Sequence, residues 1–96
     1  MIKLKTLLTE KKELGGAALE SIRMLTDRNS HTRARAELAR HIGDKRLIQA
    51  YEGMMYIENL LKGANETVKA RSKLDKILFR AASKKFSNMD VINSVF

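Results

Sequence analysis

Ninety-six residues leave room for one modest hydrophobic core, and the absence of cysteine excludes both a disulfide framework and a cysteine-bound zinc. Nineteen Lys and Arg against eleven Asp and Glu give a net charge of +8, which suits an anionic partner or simple solubility. The longest apolar runs are too short to cross a bilayer, and MIKLKTLLTEKKE lacks the sustained apolar stretch of a signal peptide, so the expected setting is the cytoplasm, of a cell or of an infected host.

Proline is absent while Ala, Leu, Lys, Arg and Glu are plentiful, and this predicts an all-α fold. The first element spans about 4 to 26. Leu4, Leu7, Leu8, Leu14, Ala18, Leu19, Ile22 and Leu25 share one helical face, with Lys5, Thr9, Lys12, Glu13, Glu20 and Arg23 opposite. Lys11 falls within the apolar arc and has to snorkel outward. Gly15 and Gly16 together lower helix propensity by roughly 2 kcal/mol, enough to bend or split the element unless they form a smooth packing patch. A loop follows at TDRNSHT, residues 26 to 32, rich in turn and cap formers.

The next helix, about 32 to 42, is short. Ala34, Leu38 and Ile42 form a narrow buried stripe, and Arg33, Glu37 and Arg40 face solvent. His31 and Arg35 place positive charge near its start, where the helix dipole does not favour it, which points weakly to an external anion. Gly43 is suited to a left-handed terminus and Asp44 to capping the helix after it. That third helix runs to about Lys62, with Gly63 closing it. Leu47, Ala50, Tyr51, Met54, Ile57 and Leu61 lie on one broad arc that Ile48 and Met55 extend, so the pattern predicts a central helix covered on more than one side. Glu58 projects into that arc and needs either water or a partner.

ELARHIG at 37 to 43, followed by a helix, resembles the first half of a repressor-type helix-turn-helix. Leu38, Ala39, Ile42 and Gly43 match that family's first-helix hydrophobics, small residue and turn glycine, and Tyr51 to Gly53 resembles the end of its recognition helix. The pattern then departs from the family. Asp44 stands where an apolar residue is expected, later core positions land on Gln49 and Glu52, and the turn is one residue short. A groove-reading helix would also be charged, and this one is nearly neutral. No family is assigned on these residues.

The excess charge sits on the flanks: residues 1 to 43 carry nine basic and five acidic side chains, 44 to 62 three and three, and 63 to 96 seven and three. In the fourth helix, about 65 to 86, Lys69, Lys73, Lys76, Arg80 and Lys84 recur at steps of three or four and form one positive ridge. Ala70, Leu74, Ile77, Leu78 and Ala81 make its core face, while Val68, Phe79 and Phe86 form a second apolar strip. Residues 87 to 96 then read as an apolar tail in which Met89, Ile92 and Phe96 share a face. It either folds back over the bundle or docks in another protein's groove.

Catalytic chemistry has little to work with. His31 and His41 are the only candidate bases, no carboxylates are spaced for a metal, and no glycine-rich phosphate loop occurs. The few aromatics show no interleaving with basic residues of the kind that stacks single strands.

The expected protein is a small four-helix bundle over residues 1 to 86 with a tail at 87 to 96. It is expected to be no enzyme and to need no cofactor, metal, small-molecule substrate or membrane. The leading functional expectation is a nucleic-acid-associated regulatory or accessory protein that binds phosphate backbone, DNA or RNA, with little sequence readout. Lys69, Lys73, Lys76, Arg80 and Lys84 would carry it, with Arg33, Arg35 and Arg40 as a second patch. The alternative is a protein-interaction module, an adaptor, inhibitor or assembly component, acting through Val68, Phe79, Phe86, Met89, Ile92 and Phe96. Self-association fits either.

Overall fold

The computed structural model describes residues 13–28, 30–63 and 65–96. Among the described residues five α-helices follow one another: α1 (Gly16–Asp27), α2 (His31–Ile42), α3 (Lys45–Leu61), α4 (Val68–Lys85) and α5 (Met89–Val95), with a 3-10 turn at Asn65–Thr67 leading into α4. No strand occurs among the described residues, and none of their helices is long and apolar enough to cross a membrane. The all-α class therefore stands. The expected count of four helices with an appended tail does not, because residues 89 to 95 form a fifth helix whose Val91, Ile92 and Val95 are buried in the same core as Leu78 and Ala82.

Local signals set most of the boundaries. α1 begins after Gly15, at the break the glycine pair offers, so helix does not continue from Glu13 to Gly16. The expected helical stretch 4 to 12, with its lysine at position 11, lies outside the described residues. Gly43 takes φ 86°, a left-handed conformation that suits a residue without a Cβ, and its N–H donates to Ala39 O at 2.9 Å. Asp44 then caps α3, its Oδ1 accepting from the N–H groups of Arg46 (3.0 Å) and Leu47 (3.2 Å). At the far end it is Lys62, not Gly63, that turns left-handed, with φ 52°, and Gly63 N–H donates to Glu58 O.

Packing reverses the expected roles of α2 and α3. α2 is the helix that touches α1, α3, α4 and α5, and it buries Thr32, Ala34, Arg35, Ala36, Leu38 and Ala39. Its alanines explain this: a helix surrounded by four others needs small side chains so that neighbouring axes can approach from several directions. α3, although richer in large apolar residues, buries only Leu47, Tyr51 and Met54. Its C-terminal half leaves Tyr56 67%, Ile57 43%, Leu60 63% and Leu61 57% exposed. The apolar arc of α3 is thus wider than the side its neighbours cover.

Two interhelical ties fix α1 and α4 in place. Leu14 N–H donates to Asn88 Oδ1 at 2.6 Å, joining the entry of α1 to the junction between α4 and α5. Lys85 Nζ donates to Ile42 O at 2.8 Å, so one cation of α4 caps the last turn of α2. Phe86 leaves the helical track with φ −117° and ψ 147° and is buried, as is Ile92.

Candidate functional site

The α4 ridge is present as the spacing predicts. Lys69, Lys73, Lys76, Arg80 and Lys84 are all exposed, and none of them takes part in an ion pair among the described residues. At 1.5 Å per residue the array runs for roughly 22 Å along the helix. Neither Glu66 nor Asp75 pairs with the ridge: Asp75 turns inward to Arg35, and Glu66 takes part in no ion pair among the described residues.

The second basic patch does not form. Arg33 and Arg40 are exposed, but Arg35 projects from the opposite side of α2 and is only 5% exposed. Helical geometry gives the reason: two residues along, the side chain has rotated by about 200°. Arg40 is also occupied, 3.3 Å from Glu37 Oε2 and 3.7 Å from Glu52 Oε2.

Arg35 instead anchors an internal cluster. Its Nε lies 3.0 Å from Asp75 Oδ1, a coulombic contact without hydrogen-bond alignment, while Tyr51 O–H donates to the same oxygen at 2.6 Å. The guanidinium carbon sits over the Phe96 ring, 5.2 Å from its centroid. Burial lowers the Arg35 pKa from its ordinary value, and Asp75 opposes the shift. Burial, reinforced by the bond to Asp75, raises that of Tyr51. Above about pH 10 the unfolded chain loses the Tyr51 proton that the folded chain retains, so stability falls as pH rises. Thermal unfolding followed from pH 8 to 11 is expected to show this decline, and Tyr51→Phe is expected to flatten it.

A second polar cluster resolves the position of Glu58. Its Oε2 accepts from Thr32 Oγ1 at 2.8 Å and Thr67 Oγ1 at 3.0 Å, and Arg71 Nη1 donates to Thr32 Oγ1 at 2.7 Å. The carboxylate is therefore half-buried but satisfied by two hydroxyls, with the Arg71 cation one step further away. This chain of bonds links α2, α3, the 3-10 turn and α4.

The expected second apolar strip is rearranged. Val68 and Phe79 remain exposed on α4, but Phe86 and Ile92 are core residues unavailable to a partner in this fold, and Met89 packs against that core. Phe96 takes their place beside Phe79, the two rings meeting edge to face with centroids 5.5 Å apart. Together they floor an open groove of about 880 Å³, lined by Val68, Ser72, Phe79, Ser83 and Phe96 and rimmed by Arg71, Lys76, Arg80 and Lys84. A smaller cavity of about 500 Å³ adjoins it at Val68 and Arg71 and reaches the first turn of α2. The larger groove has no direct signal in the sequence, because one ring lies on α4 and the other just past the end of α5.

The histidines stand apart. His31 and His41 lie at opposite ends of α2, roughly 15 Å along its axis, and His41 Nε2 is 3.3 Å from Glu37 Oε1 on its own helix. Among the described residues, no three His, Asp or Glu gather where a metal ion could be held. Comparison with protein-family models, with curated proteins and with solved structures finds no match to this chain.

Proposed function

We propose that the chain is a nucleic-acid-binding protein, not an enzyme, whose α4 ridge follows the phosphate backbone with little sequence readout. The observation that carries this reading is the row of five exposed, unpaired cations on one helical face. Like charges three or four residues apart weaken a helix by a few tenths of a kcal/mol per pair, and no carboxylate on α4 relieves them. A polyanion laid along the ridge would supply the missing counter-charge over several contacts at once. The expected setting is the cytoplasm.

Salt dependence tests the reading directly. If all five cations neutralise phosphates, log affinity should fall against log salt with a slope of about −3.5 to −4.5, depending on the strandedness of the ligand. Affinity that stays constant as salt is raised would overturn it. The groove favours a second reading, a protein-interaction module acting through Val68, Phe79 and Phe96, either with another protein or between copies. Its signature would be association that persists at high salt, because apolar burial is not screened.

A further inference from the structure

We propose that the groove beside the ridge receives unpaired bases, which makes single-stranded nucleic acid the ligand. This rests on the nucleic-acid reading above and adds to it what the second surface is for.

On the helical wheel of α4, the groove positions Val68, Ser72, Phe79 and Ser83 lie roughly 90° around from the ridge. On a helix 10–12 Å across, that offset is about 8 Å of surface. A strand whose phosphates follow the ridge would therefore hang its bases over the groove. A duplex turns its base faces inward onto each other and would leave the apolar floor empty.

The floor has the chemistry that base faces need. Phe79 and Phe96 are 36% and 38% exposed, and they brace each other edge to face. Phe96 is also held by the buried Arg35 guanidinium, so it is positioned before any ligand arrives. Aromatic stacking accepts every base, which agrees with a ridge that carries no sequence-reading chemistry. Three buried polar atoms near the floor lack hydrogen-bond partners among the described residues: Ser83 Oγ, on a residue that lines the groove, and Arg35 Nε and Nη1, on the side chain stacked against Phe96. The acidic side chain lining the groove, Asp75, is already engaged by Arg35 and Tyr51 and does not repel the strand as a free anion would. An acidic amphipathic helix would match the rim charges too, but an unbroken row of cations better fits a uniformly charged polymer.

The chain contains no tryptophan, so Phe79→Trp installs a single fluorescent reporter in the groove floor. Short oligothymidylate, a duplex of equal length and inorganic polyphosphate are titrated against it. Saturable quenching by oligothymidylate, and none by duplex or polyphosphate, is the expected result. Separately, Phe79→Leu and Phe96→Leu are expected to weaken oligothymidylate binding roughly tenfold each while leaving polyphosphate affinity unchanged. Circular dichroism confirms that each variant is folded, and Phe79→Leu, at an exposed site, keeps the test open if Phe96→Leu unfolds the chain. Equal affinity for duplex, or wild-type affinity in both leucine variants, would overturn the base-binding groove while leaving the ridge reading intact. Failure of every polyanion to bind wild-type protein would overturn both. Quenching by a Glu- and Leu-rich helical peptide but not by oligothymidylate would overturn the proposal and assign the groove to a protein.

Discussion

Replacing Asp75 with alanine is expected to lower the unfolding midpoint by roughly 12–24 °C, the equivalent of ~3 kcal/mol in a domain of this size. The effect is large because two buried groups depend on one carboxylate oxygen: Arg35 Nε at 3.0 Å and Tyr51 O–H at 2.6 Å. Without it, the Arg35 charge stays in a site only 5% exposed with no anion beside it, and the Tyr51 hydroxyl loses its acceptor. The reverse truncation should be milder. In Arg35→Met the Asp75 side chain, 19% exposed, keeps access to water and its bond from Tyr51, and the methionine still packs against Phe96. A loss of about 1 kcal/mol is expected there, since replacing a buried ion by an apolar group of similar volume removes a desolvation penalty along with the attraction. Differential scanning calorimetry of the two variants checks the asymmetry. Equal losses would mean that the cluster is not organised around the carboxylate.

That cluster also marks where the sequence ceased to be readable. Gly43 and Asp44 were legible because their roles are local: a left-handed φ and two amide hydrogen bonds are decided within a few residues. The α4 ridge was legible for the same reason, since helical spacing alone puts its members on one face. Arg35 was not. Its burial depends on an anion from α4, a hydroxyl from α3 and a ring from the end of the chain, none of which its own helix predicts. Phe86 was misplaced because the helix stops one residue before it, and a residue past the end no longer obeys the wheel.

The exchange of roles between α2 and α3 has a physical cause of the same kind. Counting large apolar residues favours α3, but centrality is decided by how many neighbours can approach a helix, and small side chains decide that. Ala34, Ala36 and Ala39 are at most 1% exposed, whereas Leu60 and Leu61 are more than half exposed. Burial of the inner side of α2 also explains why a cation there had to be provided for internally. Arg35 pairs with Asp75, whose position on α4, about 140° around the wheel from the ridge, keeps that carboxylate on the inner side of the helix. The one acidic residue within α4 thus serves the core, and the five ridge cations make no ion pair among the described residues.

Charge reversal of Lys73, Lys76 and Arg80 to glutamate is expected to separate stability from function. All three side chains are exposed and make no ion pair among the described residues, so the fold loses no contact. The helix itself should be no less stable than before. Lys69 and Lys84 would each gain an acidic neighbour four residues away, Glu at 80 preceding Lys84 in the more favourable order, and two repulsive pairs would become attractive at about 0.2–0.5 kcal/mol each. Polyanion binding should nonetheless fall by two to three orders of magnitude or more, because the ridge changes sign and most of its counterion release is lost. The salt slope of whatever binding remains should collapse towards zero. An unchanged or raised unfolding midpoint together with abolished binding is the result expected of a surface kept basic for a ligand at some expense to the helix that bears it. Retention of binding in a folded triple variant would remove the ridge from the interface, and with it the reason for assigning this protein to nucleic acid.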